Sequence, residues 1–212
     1  MATKLMALAY GAEAMKELRE GIRLLRSADY IDMPWANGFG TTRQLVRVDN
    51  EKGRLLFRCS IADVVQPGPI SSFPGIDRTL MLLSGKGFVF ESPPRSPQEL
   101  RVPGQSVTFS GGVLSGAGEV FGPSKDLNVM AAVGSYRVTT SVVTSFAQVS
   151  CSGETTVFVY IQDGTWMVAI RDQKIEICQT ESLLYHSTLS ESISISGGGS
   201  LALIELVHQP AT

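Results

Sequence analysis

From Ile22 onward the chain is a succession of short runs in which apolar and polar residues alternate, each closed by a turn signal. Alternation with period two puts successive side chains on opposite faces of an extended strand, whereas a helix needs apolar residues every three to four positions. Thr41 to Val48, Arg54 to Val65, Arg78 to Leu83, Gly87 to Glu91, Val102 to Phe109 and Asp126 to Val133 read as strands, after a short apolar run from Ile22 to Leu25. Asp49-Asn50, Pro67-Gly68-Pro69, Ser84-Gly85-Lys86-Gly87, Pro93-Pro94 and Gly111-Gly112 turn the chain between them. The second half continues with Arg137 to Val149, Thr156 to Gln162, Thr165 to Arg171, Lys174 to Cys178, Leu183 to His186, Glu191 to Ile195 and Ser200 to Val207. Asp163-Gly164, Asp172-Gln173 and Gly197-Gly198-Gly199 read as hairpin turns. Strands this short and this closely spaced predict an all-β protein, a sandwich or barrel rather than alternating βαβ units.

An apolar fraction of 43% over 212 residues supplies a core for one large β domain or two small ones. A faint internal echo favours two. The hairpin at Ser84–Gly87 followed by Leu100–Val107 is similar in style to Gln162–Thr165 followed by Ile175–Leu183. The expected organisation is an extension over residues 1–21, a first barrel over 22–134 and a second over 135–212. In the extension, Leu5, Leu8, Ala12, Met15 and Leu18 fall at helical spacing and Gly21 stops the run, so a leader helix is expected there.

Several classes of function lose support. A net charge of −2 provides no basic face for nucleic acid. No apolar run has the length of a membrane span, and the N-terminus lacks the pattern of a signal peptide. Cys59, Cys151 and Cys178 are far apart with no CxxC, which suggests buried thiols in a reducing, cytoplasmic compartment. His186 and His208 do not make a metal-binding pair. No GxSxG occurs, and no cysteine has a histidine partner nearby in sequence, so neither a catalytic residue nor a cofactor is assigned.

The residues that could hold a ligand lie in the first half. Met33 to Arg43 gathers a proline, an indole, an amide, two glycines and two hydroxyls, with Trp35, Asn37 and Thr42 as candidate contacts. Alternation puts Arg58, Ser60 and Ala62 on one strand face, opposite the more apolar Phe57, Cys59 and Ile61. The stiff loop from Pro67 to Asp77 carries Ser71 to the threshold of Arg78, and Asp126 and Asn128 share a later strand face with Met130. Arg58 and Arg78 could form a fork for a carboxylate. The commoner use of such arginines is a structural ion pair, here with Asp63, Asp77 or Asp126.

The stretches MPWANGFGTTRQL, FRCSIADV, GPISSFPGIDRTLMLLSGKG and DLNVM, in this order, resemble the HutD/Ves family. The resemblance implies a bicupin, two antiparallel jelly-roll barrels in one chain without the usual cupin metal triad. It implies a regulatory protein that binds a histidine-utilisation metabolite such as N-formylglutamate, without a firmly attached enzymatic reaction. Ala36, Phe39 and Ile70 stand where the family usually has Lys, Gly and Phe, which points to an altered ligand or weaker binding. The ligand set expected is Trp35, Asn37, Thr42, Arg58, Ser60, Ser71, Arg78, Asp126 and Asn128, with a small anionic metabolite as partner. A homodimer is one assembly the chain could form. The competing expectations are a metal-independent isomerase or hydrolase using Asp126 and Ser60, and a protein-interaction module.

Overall fold

A computed structural model describes residues 21–34 and 40–209. The leader helix expected over residues 1–21 falls, apart from Gly21, outside the described residues. What is described is all-β and antiparallel, with one 3-10 turn at Ser27–Asp29. The strands are β1 (Ile22–Leu25), β2 (Ile31–Pro34), β3 (Thr41–Asp49), β4 (Leu55–Val64), β5 (Gly68–Ile70), β6 (Ile76–Gly85), β7 (Phe88–Ser92), β8 (Arg95–Leu100) and β9 (Ser106–Ser110). They continue as β10 (Ser115–Val120), β11 (Ser124–Ala132), β12 (Tyr136–Val143), β13 (Phe146–Cys151), β14 (Thr155–Ile170), β15 (Gln173–Cys178), β16 (Ser182–Ser187) and β17 (Glu191–His208).

The chain divides into two compact units. One comprises Tyr30–Arg47 and Leu55–Gly134. It has a six-stranded sheet in the order β2-β3-β4-β11-β6-β9 and a four-stranded sheet in the order β5-β10-β7-β8. Its core joins Val64, Leu80, Leu82, Val107 and Phe109 from the first sheet to Phe88, Phe90, Leu100 and Ala117 from the second. The other unit takes Val48–Arg54 and the chain from Ser135, together with the segment that ends at Asp29. Its seven strands form one sheet, in which β1 pairs with β16 from Ile22↔Tyr185 to Leu25↔Ser182. Ile22–Leu25 thus belongs with the C-terminal half of the chain.

Two hairpin turns expected from sequence are interior to strands. Asp163-Gly164 lies within β14 and Gly197-Gly198-Gly199 within β17, and the two strands pair along almost their whole lengths. The register shifts by one residue between Ile161 and Asp163. That bulge changes the parity of β14, so Val157, Val159 and Ile161 before it and Trp166, Val168 and Ile170 after it all enter one core. Gly164 (φ 82°) and Gly199 (φ 108°) are paired at the bend, where a side chain would strike the opposite backbone. A turn dipeptide inside an alternating run marks a bend as readily as a hairpin, and only the partner strand separates the two. The turn placed at Asp172-Gln173 sits one residue earlier, at Arg171-Asp172, because Ile170 pairs with Gln173.

The short strands β2 and β5, like β8 and β10, are not expected from the alternation, and β5 falls in the stretch read as a turn at Pro67-Gly68-Pro69. β8 contains Pro97, which is tolerated because β8 is the edge of its sheet. β10 is rich in small residues and lacks a strong apolar alternation. Val102 to Phe109 is strand only from Ser106, since Val102–Gln105 turns. Cys59 and Cys151 are buried as expected, but Cys178 is exposed, its side chain on the outer face at the end of β15.

Candidate functional site

In the unit from Tyr30 to Gly134, strands β4, β11 and β6 lie side by side, and their register sets three cross-strand rows. Arg58, Met130 and Arg78 form one row, Ser60, Asn128 and Leu80 the next, and Ala62, Asp126 and Leu82 the third. Adjacent rows on one face are about 7 Å apart along the strands. This face bounds a cavity of about 500 Å3. The cavity is closed by Met33, Pro34 and Thr42, by the loop residues from Gln66 to Ser71 with Phe73, and by Phe88 and Ala117 of the four-stranded sheet. The face opposite carries Phe57, Cys59, Leu127, Val129 and Met81, all buried.

Arg78 is the best-fixed polar group of the site, at 4% exposure. Its Nη1 donates to the Ser71 carbonyl at 2.8 Å and its Nε to Asn128 Oδ1 at a long 3.4 Å. The Phe73 ring lies near both guanidiniums, with Arg58 Cζ 5.7 Å and Arg78 Cζ 5.6 Å from its centroid. Phe109 approaches Arg78 at 5.3 Å. All three contacts fall in the range of a cation–π attraction. The loop that delivers Ser71 and Phe73 is held from behind. Phe73 N–H donates to the Gly111 carbonyl at 2.6 Å and Gly111 N–H to the Ile76 carbonyl at 2.7 Å. A Cβ on Gly111 would come within 2.7 Å of the Phe73 carbonyl, so this glycine permits the close approach.

The electrostatics are those of charged groups removed from water. Burial lowers the Arg78 pKa to about 10, against a favourable interaction with Asp126 and with the Arg58 charge adding to the lowering. Burial also lowers Arg58, with Arg47 contributing. Asp126 moves the other way: burial raises its carboxyl to about 7, opposed by Arg78 and reinforced by Asp63. Arg58 Nε, Ser60 Oγ and Asp126 Oδ1 are buried without a hydrogen-bond partner. Asp63, one of the expected structural partners for the arginines, is instead paired with Lys125 at 2.5 Å.

Of the residues singled out in the sequence, Thr42, Arg58, Ser71, Arg78, Asp126 and Asn128 line this one cavity. Ser60 is fully buried beneath it and does not reach its surface. Trp35 and Asn37 lie outside the described residues. Sequence reasoning did not find Gln66, Phe88 or Ala117. Phe88 and Ala117 belong to the facing sheet, and no local signal tells which strands face each other across a sandwich. Among the described residues, no group of three or more His, Cys, Asp or Glu side chains could hold a metal ion. No helix there is long and apolar enough to cross a membrane.

The model of the HutD family matches residues 27–203, most of the chain. The chain belongs to the HutD family. Similar proteins include an uncharacterised 21.2 kDa protein from the hutC 3′ region of Pseudomonas putida, 27% identical, the alignment covering 89% of this chain and 98% of the relative. HutD from Pseudomonas fluorescens SBW25, solved in a formate condition, superposes with a TM-score of 0.73 at 27% identity, covering 89% and 99% of the two chains. A conserved protein of unknown function from Pseudomonas aeruginosa PAO1 superposes with a TM-score of 0.75 at 22% identity over 89% and 98%, a likeness of fold. More distant likenesses of fold extend to a putative mannosephosphate isomerase from Archaeoglobus fulgidus, at 9% identity and a TM-score of 0.56, with 88% and 97% covered.

Proposed function

We propose that this HutD-family chain is a non-enzymatic, cytoplasmic binding protein for a small anionic metabolite, built as a bicupin, and that it regulates histidine utilisation. The observation that carries this reading is the convergence of two arginines, the half-buried Arg58 and the buried Arg78, on one cavity of about 500 Å3. Guanidiniums taken out of water are costly, and here two of them share the single carboxyl of Asp126, which interacts with Arg78; an anion between them restores what hydration supplied. Arg58 Nε is buried without a partner, so a bound carboxylate would gain a charge-assisted hydrogen bond and relieve an unsatisfied donor. The volume lies within the range of small-molecule sites. The histidine-utilisation part of the reading is supported by the hutC neighbourhood named for the Pseudomonas putida relative.

Calorimetric titration of the full chain with N-formylglutamate, urocanate, glutamate and formate tests the proposal. At least one of these is expected to bind, and Arg58→Ala is expected to weaken it about 10- to 100-fold, the effect of losing a charge-assisted hydrogen bond. Silence from every carboxylate, together with an unaltered response in Arg58→Ala, would remove the reading. One observation favours a second reading. A carboxyl that titrates at about 7 in a cavity is matched to proton transfer. An isomerase or hydrolase using Asp126 gains ground if the metal-free protein turns over a small carboxylate and Asp126→Asn abolishes turnover.

A further inference from the structure

The third row of the cavity adds a requirement that the two arginines alone do not impose. Asp126 stands one row beyond Asn128, opposite Ala62 and Leu82, with 6% exposure. Neither cross-strand neighbour can donate a hydrogen bond from its side chain, and Oδ1 has no partner. The charged groups around it are few. On β6 there is Arg78, and on β4 Arg58 and Asp63, the latter turned to the opposite face and paired with Lys125. Residues 66–73 carry no charge, and the facing sheet presents Phe88 and Ala117. An ionised Asp126 therefore has Arg78 as its chief support.

We propose that the cavity takes its anion together with a proton held on the Asp126 carboxyl, and that Asp126 thereby selects fully anionic ligands over zwitterions. The inference rests on the binding reading above. A carboxylate seated against Arg58 and Arg78 consumes the positive charge that keeps Asp126 ionised, and it brings a second negative charge into the same dry space. The carboxyl, already poised to titrate at about 7, responds by taking a proton from solvent. Charge counting gives the ligand class. With Asp126 protonated, two arginines and a dianion sum to zero. Glutamate carries one net negative charge, so its complex is neutral with Asp126 ionised and singly positive with Asp126 protonated; it needs no proton uptake to reach neutrality, and its ammonium must share the cavity with both arginines. The protonated carboxyl can also donate its O–H to a second acceptor on the ligand, which an ionised one cannot.

Glutarate and glutamate make a matched pair of probes, because they differ only in the ammonium group. Titrations of the full chain at about pH 8, in two buffers of different ionisation enthalpy, are expected to show uptake of about one proton per glutarate. Glutarate affinity is expected to be flat between about pH 6 and about pH 7, where glutarate is still a dianion, and to fall about tenfold per pH unit above that. Glutamate is expected to bind at least about tenfold more weakly. Asp126→Asn, whose amide is neutral at every pH, is expected to bind glutarate with no proton uptake and no slope. Glutarate that binds without proton uptake and with a flat pH profile overturns the inference and leaves the binding reading standing. So does glutamate that binds as tightly as glutarate. Absence of binding by any anion at any pH overturns both.

Discussion

Arg58 and Arg78 occupy the same cross-strand row, yet the protein holds them differently. Arg78 is tied to the Ser71 carbonyl and to Asn128, so it also anchors the loop that closes the cavity. Arg58 has Phe73 beneath it and a buried Nε without a partner. The contrast makes Arg58 the cleaner residue for a binding test, since removing Arg78 also releases the loop. Asp126 lends itself to a stability experiment. Its carboxyl is raised from 3.8 to about 7, so the folded chain binds a proton that the unfolded chain has already lost over that interval. Stability therefore falls as pH rises from about 4 to about 7 and stays reduced above it, by an amount of the order of 4 kcal/mol at most. Asp126→Asn, which has no charge to bury, is expected to raise the melting temperature at pH 8 relative to the unsubstituted chain. At about pH 4, where the unfolded carboxyl has only begun to ionise, the two are expected to melt close together. An equal change at both pH values would show that Asp126 does not carry a buried charge at pH 8.

At the scale of elements, β14 and β17 carry the largest share of the second unit. They remain paired from Thr155↔Val207 to Ile170↔Ile193 through the bend at Gly164 and Gly199. Trp166 fills the core just past the bend, and its Nε1 donates to the Asp163 carbonyl at 3.2 Å, tying the indole to the bulge. A Cβ on Gly164 would lie 1.8 Å from the Gly198 carbonyl oxygen, and the φ of 82° disfavours any other residue. Gly164→Ala is expected to cost about 2 kcal/mol or more, measured as a lowered urea midpoint. Gly134→Ala is the control: its φ of 70° gives a similar backbone penalty, but no atom lies within 4 Å of the added carbon. A Gly164→Ala chain no less stable than Gly134→Ala would mean that the two long strands are not packed as closely as described.

At the scale of the whole molecule, the path of the chain matters more than its length. The polypeptide does not complete one unit and then begin the next. Residues 22–29 and 48–54 fall in the same unit as the C-terminal half, and the segments between and after them form the cavity-bearing one. Leu25, fully buried in β1, pairs with Ser182 of β16. A fragment starting at Ser135 lacks β1 and exposes the edge of β16, with its row of apolar residues Leu183, Leu184 and Tyr185. Such an edge invites pairing between chains. The fragment is expected to be less soluble on expression than the full chain, and a supplied peptide spanning residues 22–29 is expected to improve its recovery. A fragment that is monomeric and cooperatively folded by itself would contradict this view of β1.

Part of this protein is decided by its sequence alone. Period-two alternation makes it all-β, and the parity of Arg58, Ser60 and Ala62, like that of Asp126, Asn128 and Met130, fixes which side chains share a strand face. These are properties of a single extended backbone, and no partner strand is needed to impose them. The family motifs were legible for the same reason, being continuous stretches of sequence. Tertiary structure decided the rest. Asp163-Gly164 became a bend because β17 lies across it without interruption. Ile22–Leu25 joined the C-terminal sheet through hydrogen bonds to residues some 160 positions away. Arg58, Arg78 and Asp126 became a site because β11 inserts between β4 and β6 and brings their rows together, and because Phe88 and Ala117 close the space from the opposite sheet. Strand order and sheet facing are long-range choices set by packing and loop closure. The local pattern that creates a strand carries no record of its neighbour.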